Sequence, residues 1–226
     1  LSDYLGPQRY AHDEGVQADE VGIANGLAWT STGGEVLVIE VLKMPGQGKL
    51  VITGKLGDVM KESVQAAYSF VRSRLGELGL EYEAIKQYDL HIHFPAGAVP
   101  KDGPSAGITV TLAIASSLSG FKVRSDVAMT GEVTLRGNVL AVGGIKDKVL
   151  AAYRAGIRDI VLPHKNGKDL IELPDEVKKN VKFTLAEHVD ELLQLALVGY
   201  DPMKTRIVPD STDLDGGERA EEVEVS

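Results

Sequence analysis

The sequence predicts an α/β protein with a β-meander in its first half and an α/β second half, its helices packed on small sheets. Three observations carry that expectation. Residues 21–56 hold three segments rich in β-branched residues and broken by glycines, "VGIANGLAWT", "EVLVIEVLKM" and "KLVITGKL", the pattern of short strands joined by turns. The apolar period then lengthens from two residues to three or four over residues 58–79. Beyond residue 88, strand-like and helix-like segments alternate, which implies helices layered on a sheet.

Residues 1–20 show no sustained period and read as a linker, ahead of a folded domain over 21–198. In "DVMKESVQAAYSFVRSRLGELG", Met60, Val64, Ala67, Val71, Leu75 and Leu78 fall on one helical stripe, and Gly79 closes the helix. "YDLHIHF" alternates as a strand does, and "PAGAVPKDGP" is a loop. "SAGITVTLAIASSLSG" is apolar on most sides, so it reads as a buried helix ending at Gly120. "VAMTGEVTLRGNVLAVGG" reads as strands with tight turns, with a hairpin tip at Gly137–Asn138. A helix over "IKDKVLAAYRAG", a strand "RDIVLP", a short helix and turn over "DLIELPDEVKKN", a strand "VKFTLAE" and a helix "HVDELLQLALV" complete the domain. Residues 199–226 carry eight acidic and three basic residues, the composition of a flexible acidic tail.

The 226 residues are 43% hydrophobic, enough for one sizeable core. The absence of cysteine excludes disulfides, zinc–thiolate sites and a thiol nucleophile. No run of about 18 apolar residues could span a membrane. The net charge of −9 argues against nucleic acid as a main partner. The chain opens on Leu1, and we read it as a piece of a longer protein.

Chemistry concentrates in "AVPKDGPSAGITVTLAIA". Pro100, Gly103 and Pro104 stiffen the turn, and Asp102 is placed to cap the helix that follows. Ser105 then falls in the first helical turn, where unpaired N–H groups and the helix dipole stabilise an anion. That anion could be a substrate phosphate or the oxyanion of a tetrahedral intermediate. The same residues also serve as an ordinary helix start, and the Gly-Lys-Ser/Thr ending of a phosphate loop is missing. His91 and His93 share a strand face, but no third ligand accompanies them, so no metal site is expected and a packed pair fits better. Lys146 and Lys148 lie about 200° apart on one helix. Ala151, Ala152 and Ala155 near Lys148 would let another segment pack close and dry its ammonium, lowering its pKa toward neutrality. Spacing alone does not choose between the two lysines.

"PKDGPSAG" around Ser105 and "GGIKDKVLAA" around Lys148 resemble the two signature segments of the Lon protease family, A type, and their separation of 43 residues is similar too. "TGKLGDVMKES", "HIHFPAGAVP" and "MTGEVTLRG" extend the resemblance across residues 1 to about 198. Ala141 stands where a proline is common, a departure that concerns a turn. The resemblance implies a serine endopeptidase with Ser105 as nucleophile, Lys148 as general base and Thr130 orienting the lysine. It implies an oxyanion hole from the backbone N–H groups of Ser105 and Ala106, and Trp29 beside the substrate groove. Asp102 would be a switch that engages the lysine, and His91 and His93 would lie near the site without a firm role. It further implies unfolded polypeptide substrates, a homohexamer, and an AAA+ ATPase binding ATP and magnesium elsewhere in the full-length protein, since no Walker A motif occurs here. The compartment would be the cytoplasm, or the mitochondrial matrix in a eukaryote. Two other readings compete: a non-catalytic ring-assembly module, and a small-molecule kinase using the Gly-rich loop.

Overall fold

A computed structural model describes residues 15–16, 18–31, 33–95 and 101–205. Most of the expected linker, most of the acidic tail and residues 96–100 of the loop before Ser105 lie outside the described residues.

The spine is a seven-stranded sheet ordered β11-β10-β7-β2-β3-β5-β4. Its strands are β2 (Ile23–Thr30), β3 (Gly33–Pro45), β4 (Leu50–Thr53), β5 (Tyr88–His93), β7 (Val127–Met129), β10 (Asp159–Pro163) and β11 (Lys182–Ala186). The two halves of the sequence therefore share one sheet, joined where β2 pairs in parallel with β7, Asn25 opposite Ala128. Two small ribbons accompany it, β1 (Glu20–Val21) with β6 (Lys122–Val123) and β8 (Glu132–Val133) with β9 (Val139–Leu140). The first half departs from a simple meander. β2 and β3 form an antiparallel hairpin, but β5 intervenes between β3 and β4 and pairs in parallel with the latter. That exchange needs the helical crossover that the change of period announces.

The crossover is α1 (Asp58–Ser73), continued by a 3₁₀ turn at Leu75–Leu78 and closed by Gly79 at φ 74°, the left-handed C-terminal position that glycine fills without strain. All six residues of its apolar stripe are buried. A short α2 (Tyr82–Ile85) leads into β5, and α3 (Gly107–Ser119) runs through the core with twelve of its residues buried. α4 (Ile145–Arg154), a 3₁₀ helix over His164–Glu172, α5 (Asp175–Asn180), α6 (Val189–Ala196) and α7 (Pro202–Thr205) follow. The β8–β9 turn spans Thr134–Asn138, with Gly137 at φ 83°, so the hairpin tip lies two residues earlier than Gly137–Asn138.

Strand alternation sorts the core into two layers. Leu37, Met129 and Val161 face α1, α3 and α6. Their neighbours Val36, Ala128 and Ile160 face α4 and α5. Central strands buried on both faces read as continuous apolar runs, which is why "VAM" and "DIVLP" lack alternation.

One close approach fixes α4 on the sheet. A side chain at Gly34 would overlap the Asp147 carbonyl and the Lys148 amide, so the end of the β2–β3 hairpin lies directly on the backbone of α4. Gly34→Ala should push them apart and lower stability by about 1–3 kcal/mol, read as a fall in the urea midpoint at unchanged slope.

Candidate active site

Ser105 sits in a single 3₁₀ turn, Pro104–Ala106, between Gly103 at φ 117° and the start of α3. The turn is held from both sides. On one side, Asp102 Oδ1 accepts the Met60 N–H of α1 at 2.9 Å and its own neighbour Gly103 N–H at 2.9 Å, while Ser63 Oγ donates to the Pro104 carbonyl at 3.3 Å. On the other, the Ser105 carbonyl accepts Gly131 N–H at 2.8 Å and Thr130 Oγ1–H at 3.1 Å, and Gly131 returns its carbonyl to Ile108 N–H at 3.1 Å. Asp102 thus caps α1, not the helix that follows it. Local spacing suggested α3, but α1 begins beside the turn in space, and Gly57 leaves room there for the carboxylate.

Lys148 projects from the first turn of α4 and is 2% exposed, whereas its neighbour Lys146 is exposed. Burial thus distinguishes the two lysines that spacing left equal. The Lys148 ammonium donates to Thr130 Oγ1 at 3.0 Å. Desolvation lowers its pKa from the usual 10.5 to about 8, and no carboxylate among the described residues pairs with it to offset that loss. Thr130 is itself wholly buried. A hydroxyl has one proton to give, and a carbonyl can only accept, so Thr130 gives its proton to Ser105 and receives one from Lys148. When Lys148 is neutral, its lone pair is therefore not consumed by Thr130.

Ser105 and Lys148 both line a groove of about 980 Å³, together with Ala106, Trp29 and Asp102. Trp29 is 58% exposed, rests on Gly144 and donates Nε1–H to Asp147 Oδ2 at 3.1 Å. The Asp102 carboxylate lines the groove yet is occupied with backbone amides, and Lys148 bonds to Thr130; the two do not engage in this conformation. His91 and His93 do not line the groove. Their rings turn to Thr53 on the edge strand, whose Oγ1 lies 2.9 Å from His91 Nε2 and 2.7 Å from His93 Nδ1. The shared strand face was legible, but the neighbouring strand that captures both rings was not. Among the described residues no group of three or more His, Cys, Asp or Glu could hold a metal ion, and no helix is long and apolar enough to cross a membrane.

Sequence reasoning missed two contributors. Ser63 stands in the apolar stripe of α1, three residues after Met60, and a polar residue in such a stripe is a readable signal. Lys101, 7% exposed, lines the groove and donates to the Pro95 carbonyl at 2.9 Å, and burial lowers its pKa. Nothing in spacing distinguishes it from a surface lysine.

Residues 1–199 match the model of the Lon protease (S16) C-terminal proteolytic domain. The chain is 54% identical over 217 residues to Lon protease of Desulforamulus reducens, covering 95% of this chain and 27% of that protein. It is 56% identical over 195 residues to Lon protease of Anaeromyxobacter dehalogenans, covering 86% and 23%. It is 52% identical over 199 residues to Lon protease 1 of Bacillus subtilis, covering 88% and 26%. The chain thus spans about a quarter of the length of the curated relatives it matches.

The buried amine has a thermodynamic signature. Between pH 8 and 10.5 the unfolded chain holds a proton on Lys148 that the folded chain has lost, so stability rises with pH across that window. The penalty present below pH 8 corresponds to about 3 kcal/mol. Lys148→Met should be more stable than wild type at pH 7 by an amount of that order, and the difference should shrink toward pH 10.5, measured by urea unfolding at each pH.

Proposed function

This chain belongs to the Lon protease (S16) family as its proteolytic domain, and on that footing we propose that it hydrolyses internal peptide bonds with a Ser105–Lys148 dyad. The observation that carries the assignment is the dry Lys148 amine, bonded to the one hydroxyl that also grips the Ser105 carbonyl. With a pKa of about 8, roughly a tenth of the amine is neutral at pH 7, against less than one part in a thousand for an ordinary lysine. That fraction suffices for a general base.

The chemistry follows from the residues in hand. Neutral Lys148 takes the Ser105 hydroxyl proton as Oγ attacks the peptide carbonyl carbon. The resulting oxyanion lies at the start of α3. We assign the backbone amides of Ser105 and Ala106 as its donors, the positions that the family resemblance implies. Lys148 then returns its proton to the leaving amine, giving an acyl-enzyme. A water, deprotonated by the same lysine, releases the acyl group and restores Ser105. Thr130 keeps the amine oriented through both halves of the cycle.

Unfolded polypeptide is the substrate class we assign, supported by a groove open to an extended chain and by the relatives' name. ATP and magnesium and the unfolding of substrates are assigned to the ATPase part of the full-length protein, for which a homohexamer is proposed. The sequence lacks a phosphate loop. We place the protein in the cytoplasm, a reading supported by its bacterial relatives. The kinase reading loses ground because the Gly-Lys-Ser/Thr ending of a phosphate loop is missing. The ring-module reading has no use for a desolvated amine tied to a serine turn.

Casein hydrolysis by wild type and variants, each with and without ATP, tests the assignment. Wild type should cleave slowly with no response to ATP, and Ser105→Ala should fall to background. Lys148→Arg should be inactive because guanidinium keeps its proton, while Lys146→Ala should retain activity. Full activity in Ser105→Ala removes the assignment. The rate should climb with pH through about 8, as the base loses its proton. Thr130→Val, which leaves the amine unanchored, should cost roughly a hundredfold in kcat.

A further inference from the structure

One wall of the groove is a stretch of backbone without helix or strand, Ala141–Gly144, between β9 and α4. Such a segment has no ladder to hold it, yet Val142 is bonded at both of its backbone polar atoms by one side chain. Val142 N–H donates to Asn166 Oδ1 at 3.0 Å, and Asn166 Nδ2–H donates to the Val142 carbonyl at 2.9 Å. A single amide thus reproduces the paired exchange of a neighbouring β-strand. Asn166 is 3% exposed, in the 3₁₀ helix His164–Glu172. Its second Nδ2 proton goes to Asp169 Oδ2 at 2.6 Å. A carboxylate only accepts, so Asp169 fixes which end of the amide meets each Val142 atom.

We propose that Asn166 is a positioning residue that sets the Ala141–Gly144 backbone as the wall on which an extended substrate lies, and so governs substrate affinity rather than the chemical step. The proposal rests on the peptidase reading above. The clamp acts from behind the wall: Val142 packs toward the α4 side of the core, while Gly143 is exposed, with nothing within 4 Å of where a side chain would be. The open face is thus bare backbone, suited to a substrate main chain. Lys148 does not depend on the clamp. Gly34 seats its turn of α4, and Thr130 holds its amine. A satisfied buried asparagine with a purely structural role would also make these bonds, and the two roles separate by measurement.

Binding is read in the Ser105→Ala background by anisotropy of a fluorescein-labelled casein peptide. Chemistry is read in chains that keep Ser105, by the rate at which a small fluorophosphonate labels it across pH. Asn166→Ala should weaken peptide binding roughly tenfold, the scale of losing one buried hydrogen-bonded pair, and raise KM in step with kcat nearly unchanged. Its labelling rate and the pH dependence of labelling should match wild type. Asp169→Ala, which only frees the amide to rotate, should shift binding in the same direction by less, and it decides the matter if Asn166→Ala does not fold. Unchanged binding, a labelling rate that falls in parallel with binding, or a displaced pH limb would each overturn the proposal. Peptide hydrolysis surviving Ser105→Ala would instead remove the peptidase reading, leaving the binding arm interpretable.

Discussion

The interaction on which the rest depends is the exclusion of water from one ammonium group. A lysine at the protein surface keeps its proton at neutral pH and can do no base chemistry. Lys148 is made different by packing alone, since burial is the only influence that moves its pKa. The fold supplies that burial by laying α4 against the β2–β3 hairpin at a point where Gly34 has no side chain. An isolated buried charge is costly, and the apolar layers packed on both faces of the sheet offset that cost.

Dryness would be useless without a fixed geometry. The turn bearing Ser105 is fastened to α1 through Asp102 and Ser63, and to the end of β7 through Thr130 and Gly131. These ties come from two distant stretches of sequence, Met60–Ser63 and Thr130–Gly131, and meet on Asp102, Pro104 and Ser105. Thr130 belongs to both systems at once, so the orientation of the amine and the position of the Ser105 turn are not independent variables.

Legibility in the sequence followed the range of the physics involved. The α1 stripe and its Gly79 stop depend on residues within a few turns of one another, and both were readable. The signature segments singled out Ser105 and Lys148, but amphipathic spacing could not show that Lys148 is buried and Lys146 exposed, because that depends on which segment packs on α4. Asp102 shows the same limit. Its capping partner is Met60, 42 residues upstream, and a rule of adjacency pointed to the wrong helix. The intrusion of β5 between β3 and β4, and the grip of Asn166 on Val142, are likewise settled only when distant segments meet. Ser63 alone left a local trace, as a hydroxyl within an apolar stripe.

The junction between β2 and β7 has a consequence for how the chain is made. Asn25 and Gly26 find their parallel partners at Ala128 and Met129, so one edge of the central hairpin, complete at Pro45, has no neighbour until roughly eighty further residues have been translated. At roughly 5–20 residues per second, that edge waits for several seconds on the ribosome with its amides and carbonyls unpaired. Nascent-chain aggregation and the need for chaperone shielding should therefore be greatest after β3 has emerged and before β7 does.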